Sequence, residues 1–155
     1  MIGFGYDIHR LQAGESLVLC GVEIPSALGT VAHSDGDAAL HALTDALLGA
    51  AGLGDIGEHF PDTNPLYKNA DSKMFVRRAI ELLKENGLRL INIDITVVLE
   101  KPKIQPYKEA MRTALAEMCE LSLRRVSVKA TTNEQVGFIG RSEGVAAFAI
   151  CQVEE

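Results

Sequence analysis

The segment AALHALTDALLGAA, residues 38–51, constrains this chain more than any other, because His41 and Asp45 are its only ionisable side chains. Ser34 or Asp35 is placed to accept backbone N–H bonds as the N-cap of a helix, Asp37 sits in its first turn, and Gly52 and Gly54 stop it. Asp37, His41 and Asp45 recur every fourth residue and so share one stripe of an otherwise apolar cylinder. A solvated face would carry Lys, Glu and Arg at several positions, and this one does not. His41 is then either a core histidine satisfied by Asp45 or a ligand facing something beyond its own helix.

The N-terminal segment offers such a partner. GFGYDIHRL reads as a β-strand, and residues two apart on a strand project to the same side, so Asp7 and His9 point together. With His41 they make two imidazoles and one carboxylate, three protein ligands for a divalent ion with a coordination position left open. Asp45 is then a candidate for orienting His41 from behind. The same donors describe the facial triad of non-haem iron oxygenases, which needs two further open positions and an oxygen-reactive metal.

Anion-binding groups lie nearby in the sequence. His33 and Ser34 precede the helix, where backbone N–H groups and the helix dipole favour a phosphate. In KATTNEQVGFIGRSEG (129–144), Thr131, Thr132 and Asn133 offer hydroxyl and amide groups, Glu134 a carboxylate and Arg141 a guanidinium. Lys103, flanked by prolines in EKPKIQP, is a point charge on a stiff loop. DIGEHFPDTNP (55–65) has the composition of a turn-rich functional loop and is a candidate lid.

A net charge of −6 argues against a nucleic-acid or anionic-membrane partner, so an anionic ligand must be held locally. No basic segment leads into an apolar signal core, and no apolar run approaches the roughly 20 residues of a membrane span; a cytoplasmic protein is expected. Cys20, Cys119 and Cys151 are odd in number and flanked by apolar residues, as buried reduced thiols are.

With 155 residues and 47% hydrophobic content, residues 1–155 form a single domain with one core. Residues 1–11 and 17–24 are extended, and Pro25–Ala32 is loop-like. An amphipathic helix spans about 70–86, with Phe75, Val76, Ala79, Ile80 and Leu83 on its stripe and Gly87 as its stop. INIDITVVLE (91–100) is a strand, and a helix from about Pro106 to Leu121 follows with Met111, Ala114, Leu115 and Met118 at helical spacing. RVSVKATT and GVAAFAICQV are the last strands. The order predicts an α+β domain, a mixed β-sheet covered on one face by helices.

Together GFGYDIHR, AHSDGDAALHALTDALLGAAGLGDIGEHFPDTNP, EKPK, VKATTNEQVGFIGR and the following EG resemble the 2-C-methyl-D-erythritol 2,4-cyclodiphosphate synthase family over nearly the whole chain. The HSDGDAALHALTDALLG block is the specific part. The resemblance implies a phosphorus–oxygen lyase of non-mevalonate isoprenoid biosynthesis that cyclises a cytidine diphosphate substrate and releases CMP. It implies that Asp7, His9 and His41 hold zinc, that Glu134 holds a second divalent ion, magnesium or manganese, and that His33, Thr132 and Lys103 are catalytic. Substrate contacts would come from Ile8, between the ligands, from Ser34, and from Asp55, Ile56 and Gly57. The lid positions Phe60, Pro61, Asp62, Thr63 and Asn64 would surround the methylerythritol phosphate. Leu99, Glu100, Lys101, Pro102, Lys103, Ile104 and Gln105, with Thr131 and Asn133, would form the cytidine and diphosphate pocket, and Phe138 and Arg141 are further binding positions. A homotrimer with active sites between subunits is implied too. Asn64 stands where an aspartate is common and Ser142 where a glycine is frequent. A non-catalytic trimeric binding protein for a metal or an isoprenoid diphosphate is the other reading.

Overall fold

Two glycines let a strand and a helix touch backbone to backbone in the computed structural model, which describes residues 1–155. Strand β1 (Ile2–Ala13) runs beneath helix α1 (Ala38–Ala50). A Cβ placed on Gly3 would fall 1.8 Å from the Ala46 carbonyl oxygen, and one on Gly5 1.9 Å from that of Ala42. Any larger residue at either position would lift the helix off the strand. The small floor continues through Ala147 and Ala149, both fully buried on the neighbouring strand. Around this seam Leu40, Leu43, Leu47 and Leu48 are completely buried, each stabilising the fold by roughly 1.5–3 kcal/mol.

The strands β4 (Leu28–Val31), β5 (Arg89–Val98), β6 (Val126–Thr131) and β7 (Gly144–Glu154) join β1 in a five-stranded sheet of order β4-β1-β7-β5-β6. All neighbours are antiparallel except β5 and β6. The expected mixed sheet is therefore present. β2 (Leu17–Leu19) and β3 (Val22–Ile24) form a separate small hairpin. Helix α1 lies on β1, β7 and β5, α3 (Lys73–Glu85) packs on α1 and β5, and α4 (Lys108–Met118) packs on β6. The two remaining helices, α2 (Ile56–His59) and α5 (Gly137–Gly140), are single turns within segments that read as loops.

The face of the sheet away from the helices is apolar as well. Ile2, Phe4, Tyr6 and Ile8 on β1, and Phe148 and Ile150 on β7, are all exposed, and the Phe148 ring lies 5.0 Å from Tyr6 between centroids.

Two local expectations need correction. Pro25–Ala32 is not all loop: β4 pairs with β1, Arg10 opposite Val31 and Ala13 opposite Leu28. Its glycine hides the strand signal, yet Gly29 is required there because a Cβ would meet the Glu15 carbonyl at 2.1 Å. The N-cap is Asp37, not Ser34 or Asp35. Asp37 is wholly buried, and its carboxylate accepts the N–H groups of Leu40 and Cys20 at 3.0 Å and of Gly21 at 2.7 Å, tying the β2–β3 turn to the helix start. Burial pushes its carboxyl up to about 6, against the pull of those backbone N–H groups. All three cysteines are free and buried, as expected.

The close contact makes a paired prediction. Gly5→Ala should lower unfolding free energy by about 3 kcal/mol through forced separation of α1 and β1. Gly49→Ala, on the exposed side of α1 with no atom within 4 Å of the new Cβ, should raise it by about 0.5–1 kcal/mol. Urea denaturation of both variants measures the two signs.

Candidate metal centre

The Gly–Ala seam decides what stands opposite what. Ala46 covers Gly3 and Ala42 covers Gly5, so about 6 Å along the helix matches about 6.6 Å along the strand. One further step brings the start of α1 over Asp7 and His9. These share the helix-facing side of β1 with Gly3 and Gly5, while Phe4, Tyr6 and Ile8 face away.

His41 meets them there. Asp7 Oδ2 lies 2.9 Å from His9 Nε2 and 3.2 Å from His41 Nδ1, and the two ring nitrogens are 3.1 Å apart. A tetrahedral ion at about 2.0–2.1 Å from three such donors holds them roughly 3.3 Å apart, so the triangle fits a zinc-sized cation with little adjustment. It is the one place in the chain where three such ligand atoms converge. Burial raises the Asp7 carboxyl, but hydrogen bonds from the His41 and His9 rings outweigh it and bring it down to about 2. Asp7 is therefore ionised at neutral pH, the form in which a carboxylate can hold a cation.

Asp45 does not orient His41. Its Oδ1 accepts the Ile56 backbone N–H at 2.7 Å, holding the start of α2 against α1, and burial raises its carboxyl. The far nitrogen of His41, Nε2, lies instead 2.8 Å from Ser72 Oγ and 3.1 Å from Ser34 Oγ. A carboxylate four residues along the helix was the nearer partner in sequence, but the chain before α3 reaches the ring first.

The triangle opens into a cleft of about 500 Å³. His9, His33, Ser34 and His41 form one wall; Ile56, Gly57, Phe60, Pro61, Asp62 and Thr63, from the segment read as a lid, form the other. Asp55 stands outside the cleft and caps α2 through the Glu58 N–H. Asn64 accepts the Leu66 N–H at 3.0 Å, a bond an aspartate makes equally well, and its carbonyl is 3.4 Å from His33 Nε2. The floor holds two residues without a sequence signal for the site. Tyr67 and Phe75 pack with Phe60 at ring separations of 5.7 and 4.7 Å. Phe75 read only as part of the apolar stripe of α3.

A second, shallower depression of about 160 Å³ is bordered by Leu99, Glu100, Pro102, Lys103, Ile104, Gln105, Thr131 and Thr132. It shares no lining residue with the cleft. His33 thus lines one depression of the chain, and Thr132 and Lys103 another. Lys101 points to solvent beside this depression, and Ile104 is largely core. Glu100 braces the adjoining loop, its carboxylate accepting the N–H groups of Asn133 and Gln135 at 3.1 and 3.2 Å. Glu134, at φ +51°, lies 3.4 Å from the Thr132 hydroxyl and is not part of the Asp7–His9–His41 donor cluster. Arg141 pairs with Glu143 at 2.8 Å, and Phe138 is exposed next to Gly144. Ser142 adopts φ +58°, a conformation that suits glycine.

Comparison with known proteins agrees over the full length. The family model described as the YgbB family matches residues 1–154. A 2-C-methyl-D-erythritol 2,4-cyclodiphosphate synthase from Symbiobacterium thermophilum is 60% identical over 153 residues, covering 99% of this chain and 98% of the relative. Among solved structures, a 2C-methyl-D-erythritol-2,4-cyclodiphosphate synthase in a CDP-bound form superposes with TM-score 0.93 at 42% identity, covering 99% of this chain and all of that one. The bifunctional IspDF of Campylobacter jejuni superposes with TM-score 0.94 at 47% identity; this chain, 98% covered, spans 41% of that longer protein.

The centre predicts one equivalent of bound zinc per chain, with His41→Ala binding it more than about 100-fold more weakly. Competition with a chromophoric chelator measures both values.

Proposed function

We propose that this chain, which belongs to the YgbB family of 2-C-methyl-D-erythritol 2,4-cyclodiphosphate synthases, converts 4-diphosphocytidyl-2-C-methyl-D-erythritol 2-phosphate to the 2,4-cyclodiphosphate with release of CMP. The reading makes it a lyase of non-mevalonate isoprenoid biosynthesis. The observation that supports it most is the Asp7–His9–His41 triangle at the mouth of a cleft walled by His33, Ser34 and the 56–63 segment. Relatives that carry the synthase's name favour this reading over an oxygenase with the same donors.

Zinc on the triangle and magnesium or manganese at Glu134, when bound, supply Lewis-acid neutralisation of phosphate charge. The protein side chains do the rest. His33 and Ser34 face the cleft and donate hydrogen bonds to phosphate oxygens. The aromatic floor of Phe60, Tyr67 and Phe75 takes the apolar side of the methylerythritol unit and excludes water. Lys103 and Thr132 supply positive charge and a hydroxyl to the diphosphate. An oxygen of the 2-phosphate forms a bond to the β-phosphorus while the bridging P–O bond breaks, and CMP leaves with that electron pair. The attacking oxygen is already ionised, so no strong general base is needed. Holding both ends of one substrate in line lowers the barrier by on the order of 7 kcal/mol or more.

The two depressions need a second subunit to act together. In this reading the chain is a homotrimer, and the Leu99–Gln105 and Thr131–Glu134 depression of one subunit faces the cleft of its neighbour. The uncovered apolar sheet face supports assembly: Ile2, Phe4 and Ile150 are 75%, 61% and 48% exposed in the single chain. No helix is long and apolar enough to cross a membrane, and a cytoplasmic location is part of the proposal.

Incubation with the cytidyl substrate, zinc and magnesium should give CMP and cyclodiphosphate in equal amounts by phosphorus NMR, with Lys103→Ala slower by about 100-fold or more. No CMP with both metals present would favour a binding protein. Sedimentation equilibrium should give three chains per particle, and Phe148→Glu should dissociate them.

A further inference from the structure

Ser72 stands at the N-cap of α3, where a serine hydroxyl ordinarily accepts a helix N–H, yet it makes no capping bond. The hydroxyl is turned the other way. Ser72 is fully buried, its Oγ lies 2.8 Å from His41 Nε2, and the same oxygen donates its proton to Asp35 Oδ1. The other Asp35 oxygen accepts the Ser72 backbone N–H at 3.0 Å. Two backbone bonds clamp these segments together, Asn69 N–H to the His33 carbonyl at 2.7 Å and Asp35 N–H to the Ala70 carbonyl at 3.0 Å. Ser34 also approaches Nε2, but it lines the cleft and is open to a ligand, whereas Ser72 does not line it.

Proton counting then fixes the histidine. A carboxylate only accepts, so the single hydroxyl proton of Ser72 goes to Asp35. Toward His41 the serine presents a lone pair, and Nε2 must carry the hydrogen. Nδ1, whose proton is the one given to Asp7 when no cation is bound, is then the nitrogen left to take a cation. We propose that Ser72 and Asp35 form a relay that holds the His41 ring in the Nε2–H tautomer and so sets the affinity of the metal centre. Both are positioning residues, acting on the cation through His41. The inference rests on the reading of Asp7, His9 and His41 as cation ligands and not on the reaction performed there.

Zinc affinity of the metal-stripped full-length chain, measured by chelator competition, tests it. Ser72→Ala should weaken zinc binding about 10–100-fold, and Asp35→Asn should weaken it in the same direction. The double variant should be no worse than the weaker single one, because Asp35 acts through Ser72. The metal-free melting temperature of Ser72→Ala should stay within a few degrees of wild type, since no helix cap is lost. Zinc affinity within threefold of wild type in Ser72→Ala, or additive losses in the double variant, would overturn the relay. CMP formation with zinc affinity indifferent to Ser72 would sink this inference alone; absence of CMP with zinc affinity still dependent on Ser72 would sink the cyclase reading alone.

Discussion

The contact of Gly3 and Gly5 with the carbonyls of Ala46 and Ala42 is the constraint on which the rest of the molecule depends. A helix resting directly on strand backbone has one available height and one register. That register brings the start of α1 over Asp7 and His9, so a side chain at position 41 reaches both with donor atoms about 3 Å apart. Packing of this density resists sub-ångström adjustment, which is what a three-ligand centre needs if it is to be formed before its ligand arrives.

The polar residues of α1 divide the remaining work. Asp37 joins the helix start to the β2–β3 turn, Asp45 holds the beginning of the lid segment through Ile56, and His41 faces the centre. Each accounts for one break in an otherwise apolar surface, and each is satisfied by a different part of the chain. Ser72 and Asp35 complete the set from outside the helix, where the strand and helix periodicities place no signal.

Much of this was legible in the residues. Alternation in β1 put Asp7 and His9 on one side, and the poverty of charge around His41 marked it as facing inward; both hold in the structure. The mixed sheet and its one helical layer followed from element order. What was not legible depended on distant segments meeting. Asp45 looked like the partner of His41 because spacing by four is visible in a sequence, whereas the approach of Ser72 is created by tertiary contacts between residues 33–35 and 69–72. Phe75 and Tyr67 carry ordinary core signatures, and only the fold turns them into a cleft floor. Strand β4 was masked by Gly29, which sits there for want of space.

Whatever meets the apolar sheet face, the Asp7–His9–His41 triangle is formed within a single chain. X-ray absorption at the zinc edge of the loaded protein tests that triangle most directly. A first shell of nitrogen and oxygen donors only, at about 2.0–2.1 Å, with the outer-ring scattering of two imidazoles, is the expected result. Sulfur at about 2.3 Å, or a shell lacking imidazole, would contradict it.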